Sequence, residues 1–89
     1  MTYLIHWITK NPAESIAMFQ KSGHDLPKGV AIVGSWHVVG EGKGVVVVTC
    51  DDPKLIHAVS ASWSKAVDIT VSQVITDEEA KAALKDVKA

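Results

Sequence analysis

Hydrophobic positions along this chain follow two alternating rhythms, one of period two and one near 3.6. Tyr3 to Ile8 is β-branched and aromatic and predicts a first strand. Asn11-Pro12-Ala13-Glu14 then supplies an N-cap, a proline at the first helical position and an acid in the first turn. The helix it opens puts Ala13, Ile16, Ala17 and Gln20 on one face with Phe19 at the edge, and Gly23 is its stop. A turn-rich connector from His24 to Gly29 leads to a second strand, Val30 to Val39. The glycine-rich link Gly40-Glu41-Gly42-Lys43-Gly44 and the strand Gly44 to Cys50 complete a hairpin. Those glycines lie between two strands rather than before a helix, so they do not form a phosphate loop.

Asp51-Asp52-Pro53 repeats the helix-start signal, with Asp52 as cap. Leu55, Val59, Ser62, Trp63 and Ala66 form the stripe of this helix, and His57 falls opposite. From Asp68 to Ile75 the pattern alternates, Ile69, Val71 and Gln73 against Asp68, Thr70 and Ser72, which predicts a fourth strand. Thr76-Asp77-Glu78-Glu79 is a capping box opening a last helix, 76–89, with an Asp77–Lys81 ion pair in reach.

The order β-α-β-β-α-β is the ferredoxin-like plan of the α+β class, in which one antiparallel four-stranded sheet carries both helices on one face. The other face should meet water and read polar. Strands two and three do not. Val30, Ile32, Trp36 and Val38 share one parity, Ala31, Val33 and Val39 the other, and Val45 to Val48 is apolar on both. Four strands of about six residues make a face of roughly 400 Å², within the apolar patch a monomer can carry. The all-valine strand nevertheless predicts a cover. It is a second copy in a homodimer, or the tail helix.

Composition narrows the function classes. Eighty-nine residues fit one domain, 1–89, with a thin core. The formal charge is −1, and the nine basic residues are all lysines. No phosphate-binding surface and no reader of guanine edges is implied, so no nucleic-acid partner is expected. The longest apolar run, Val45 to Val48, is too short to cross a bilayer, and the first residues lack a signal-peptide pattern. No membrane role is expected. With Cys50 as the one cysteine, a cytoplasmic setting is the default.

Several stretches together carry a resemblance. They are Tyr3-Leu4-Ile5-His6-Trp7, then Leu26-Pro27-Lys28-Gly29-Val30 leading to Gly34-Ser35-Trp36-His37, then Thr49-Cys50-Asp51-Asp52-Pro53, and Trp63-Ser64 ahead of Asp68-Ile69-Thr70-Val71. With these the chain resembles the DUF3303 family of small uncharacterised bacterial and phage proteins over nearly its whole length. The resemblance implies a fold like the dimeric α+β barrels, in which two ferredoxin-like sheets close face to face. It implies no catalytic residue.

Five residues are candidates for lining a ligand site: His6, Trp36, His37, Thr70 and Ser72. His6 reads either as a half-buried histidine with a hydrogen-bond partner or as a polar group inside the barrel, able to exchange a proton with a ligand. It is expected on the side of Leu4, Thr70 and Ser72, because Ile69 and Val71 are the row that suits the helices. Trp36 and His37 are neighbours in a strand and face opposite ways, so only one joins His6. Four histidines without an i, i+4 pair make no metal site, and no cofactor is implied. Cys50 precedes a helix start, where a thiol pKa can fall, but nothing fixes a histidine beside it, and an inert thiol is the simpler reading. Three functions fit: a barrel binding a small ligand or serving as an accessory without catalysis, a cofactor-independent oxygenase or isomerase using His6, and a protein–protein interaction module. Whether the chain is an enzyme is left open by its sequence.

Overall fold

The helices begin where short polar side chains take up free backbone donors. In the computed structural model, which describes residues 1–24 and 26–87, Asn11 Oδ1 accepts from the Glu14 amide at 3.2 Å and opens α1 (Pro12–Ser22). Asp52 Oδ1 accepts from the Lys54 amide at 3.0 Å and opens α2 (Pro53–Trp63). Before α3 (Asp77–Leu84), Thr76 Oγ1 accepts from the Glu79 amide while Glu79 Oε1 accepts from the Thr76 amide. This reciprocal box satisfies two donors that water would otherwise take. The last helix ends at Leu84, short of the expected 76–89; Lys88 and Ala89 lie outside the described residues.

The strands are β1 (Thr2–Thr9), β2 (Ala31–Val38), β3 (Lys43–Thr49) and β4 (Val67–Val74), and the sheet order is β2-β3-β1-β4. All neighbours are antiparallel. This is the ferredoxin-like α+β arrangement, with a third helix added after β4. The β2–β3 link is four residues, 39–42, between the paired Val38 and Lys43. Gly40 and Gly42 take φ of 77° and 59°, which a side chain would resist. The loop is pinned from outside, because the Thr9 amide donates to the Gly42 carbonyl at 2.8 Å.

Tyr3 and Ile5 of β1, Val46 and Val48 of β3, Cys50, and Ile56 and Val59 of α2 form the buried core, with Val48 wholly enclosed. The α2 stripe therefore includes Leu55, Val59 and Trp63 as expected and adds Ile56, whereas Ser62 is exposed. The first helix departs from the expectation. It buries no residue, Ile16 is 58% exposed, and the half-buried positions are Glu14, Ser15 and Met18. Its start is fixed by the Asn11 cap and by the Lys10 and Asn11 amides, which both donate to the Ala66 carbonyl. That anchor turns Ser15 and Phe19 toward the sheet and leaves the Ala13–Ile16–Ala17 row outside. The salt bridges among the described residues join Met1 to Asp51, Lys43 to Glu41 and Lys65 to Glu14; the expected Asp77–Lys81 pair is not formed.

Strand β2 also differs from its simple alternation. A bulge lies between Ile32 and Gly34, so Ile32 pairs with Val48 on the helix side while Trp36 pairs with Val45 on the open side. The shared parity expected for Ile32, Trp36 and Val38 is broken by that one extra residue, Val33.

Candidate functional site

Residues directly opposite one another in paired strands share a face, so the register sorts the candidate side chains. One row across the sheet reads Trp36, Val45, His6, Thr70, and the next reads Gly34, Val47, Leu4, Ser72. Both rows lie on the face away from α1 and α2, since the alternate rows hold Tyr3, Ile5, Val46 and Val48 of the core. Four of the five candidates, His6, Trp36, Thr70 and Ser72, are thus brought together on the open face.

His37 is not with them. It pairs with Gly44 and sits on the helix side, its ring edge-on to Trp7 and to Phe19, each with centroids 5.2 Å apart. The choice between Trp36 and His37 falls to Trp36.

The open face is divided in character. Its β2–β3 half is mainly apolar, with Trp36, Val38, Val45 and Val47, and carries Lys43 at one end; its β1–β4 half carries His6, Thr70, Ser72 and Asp68 around Leu4. Trp36 is 58% exposed and its indole lies along the strand over Gly34, where any Cβ would collide with the ring. Glycine at 34 is what lets the indole lie flat. Ile8 and Val38 are exposed at the far end of the face. No residue of α3 is buried, and the tail helix leaves this surface uncovered. The arrangement can stack a flat apolar group against the Trp36 side and offer hydrogen bonds from the His6 side.

A second cluster lies on the helix side and involves the connector between α1 and β2. His24 is half-buried, its Nε2 is 3.0 Å from Ser35 Oγ, and its carbonyl accepts from the Trp63 indole N–H at 2.9 Å. Its ring also meets Phe19 edge-on at 5.4 Å. Burial, and then the nearby charge of His37, hold its pKa below the ordinary value. Beneath α1 a cleft of about 60 Å³ is lined by Trp7, Ser15, Phe19, His24, Trp63 and Ile69, among others. No local signal marks His24 in the sequence, because its partners stand 11 and 39 residues away.

The other polar candidates are accounted for by structure. Cys50 is buried and its thiol donates to the Asp52 carbonyl at 3.2 Å. His57 is exposed on α2. Among the described residues, no group of three or more histidine, cysteine or acidic side chains is placed to hold a metal ion. No described helix is long and apolar enough to cross a membrane.

A family model described as a domain of unknown function, DUF3303, matches residues 1–88. No curated protein matches the chain.

Proposed function

The chain belongs to the DUF3303 family, and from its open sheet face we propose that it acts as a homodimeric α+β barrel that binds a small ligand between its two sheets. The observation that carries this reading is the uncovered face itself, mainly apolar across β2 and β3 apart from Lys43 at one end, and bearing His6, Thr70 and Ser72 beside it. Strands of eight residues give a face of roughly 26 by 19 Å, about 500 Å² per copy. Two such faces together remove about 1,000 Å², the lower bound for a specific interface. Twofold symmetry makes the contact self-complementary and brings a His6 from each copy into the interior.

Binding is favoured over catalysis because, among the described residues, no carboxylate or second histidine is hydrogen-bonded to His6 to orient it as an acid or base. Flat, weakly polar molecules suit the division of the face: an aromatic or enol-like body against Trp36 and its polar group toward His6 and Thr70. A cytoplasmic setting accords with the single thiol being buried at Cys50.

Light scattering at micromolar concentration should give a species of about twice 9.5 kDa. A sole species at the monomer mass would end the barrel reading. With a panel of small aromatic and enol-like compounds, His6→Ala should keep the dimer and lose the ligand-induced rise in melting temperature. An undiminished rise would reduce His6 to a packing residue.

A further inference from the structure

We propose that Lys43 of each copy pairs with the partner's Asp68 across the closed sheets, so that two symmetric ion pairs fix the direction of the twofold axis. This rests on the homodimer reading above and says which way the two sheets meet. The two charges share one row of the open face, which runs Val38, Lys43, Ile8, Asp68 across the sheet. Val38 and Ile8 are exposed apolar residues, so closing the face over them carries both charges into the contact. A charge taken out of water is strongly unfavourable there unless an opposite charge meets it.

Symmetry offers two arrangements. Aligned sheets keep their strand directions within about 30° of each other, so a twofold axis in the plane between them runs either across the strands or along them. An axis across the strands lays this row over the row at the opposite end, Ala31, Thr49, Thr2 and Val74, which has no charged side chain. The Met1 amino group and Asp51, which flank that end, already face each other at 3.7 Å. Lys43 and Asp68 would lose water there with only hydroxyl and methyl groups opposite. An axis along the strands, between β3 and β1, instead lays the row over its own copy in reverse order. Lys43 then stands across from the partner's Ile8, one strand away from the partner's Asp68.

The distance suits the pair. With sheets about 10 Å apart and strands about 4.8 Å apart, the two backbones are about 11 Å from each other. The four-carbon stem of lysine and the aspartate side chain bridge that span together. The same operation brings Asp68 to the partner's Lys43, so every charge in the row is matched. The single chain leaves both groups available. Lys43 Nζ is 3.8 Å from the exposed Glu41 carboxylate, a surface pair of little worth, and among the described residues Asp68 has no ion-pair partner.

The test mixes two oppositely charged variants of the full chain. Lys43→Asp carries acids at both positions and Asp68→Lys carries lysines at both, so each homodimer sets like charges against each other twice. Alone, each should dimerise about a hundredfold more weakly than the unaltered chain in sedimentation velocity at low salt, about tenfold for each of the two pairs. Mixed in equal amounts they should recover the affinity of the unaltered chain, because a dimer with one copy of each holds both pairs. Native mass spectrometry should then show the mixed dimer in place of either homodimer. Lys43→Glu with Asp68→Arg repeats the exchange if either first variant does not fold. The proposal is overturned if either single variant dimerises as tightly as the unaltered chain. It is equally overturned if the mixture recovers nothing, which would place the effect of the charges within one chain. In both cases an unaltered chain that dimerises leaves the barrel reading standing, whereas an unaltered chain that stays monomeric removes both.

Discussion

Replacing Trp36 by alanine removes the largest exposed apolar side chain from the face proposed to close the barrel. A tryptophan side chain carries up to about 250 Å² of surface. At 58% exposure, about 145 Å² remains to be buried by a partner. At about 25 cal/mol per Å² this is worth up to about 3.6 kcal/mol per copy. Ordering the indole and imperfect fit absorb part of that, so about 2 kcal/mol per copy is a realistic yield. The dimer contains the residue twice, which makes about 4 kcal/mol, or a dissociation constant about a thousandfold weaker. Sedimentation velocity over a concentration series measures the constant directly. Gly34→Ala is the companion perturbation, since its new methyl occupies the place where the indole lies flat. It should weaken the dimer without deleting any apolar surface. Ile16→Ala is the control: the residue is equally exposed at 58% but sits on α1, away from the open face. An unchanged dimer in Trp36→Ala, or equal weakening by Ile16→Ala, would refute the argument that this sheet face is the interface.

Val48→Ala deletes two methylene equivalents from the fully enclosed centre of the core. A loss of about 2–3 kcal/mol is expected, seen in thermal melts as a fall of roughly 10–20 °C for a domain this small; a fall of only a degree or two would mean that the site collapses or is not the core. His24 gives a pH dependence whose sign is fixed by its lowered pKa. As pH drops below the ordinary 6.5 the unfolded chain takes up a proton that the folded ring resists, so stability declines from there down to the folded pKa and is level above. In denaturant titrations between pH 5 and 8, His24→Gln should flatten that decline, and an equally steep decline in the variant would assign it to another group. Treatment with EDTA should leave the melting curve in place, and a shift of several degrees would reveal a structural metal.

Much of the architecture is written locally. The caps at Asn11, Asp52 and Thr76 act within three residues of themselves, and all three open helices where the sequence indicates. The alternation Ile69, Val71, Gln73 against Thr70, Ser72 decides which side of β4 meets the helices, because a strand exposes successive residues to opposite faces. From it the side taken by His6 also follows, through the pairing His6 with Thr70 and Leu4 with Ser72. What the sequence could not decide depends on contacts between distant segments. The Val33 bulge arises from the pairing of β2 with β3, and it alone turns Trp36 to the open face and His37 toward Phe19 and Trp7. The face that α1 presents differs from the one its own periodicity predicts, and its start is held by the Ala66 carbonyl, more than fifty positions away. His24 became a site residue only through Ser35 and Trp63. A period of two or 3.6 fixes directions within an element, whereas a bulge, an anchor or a cleft is a property of two elements meeting, and only the folded chain brings them together.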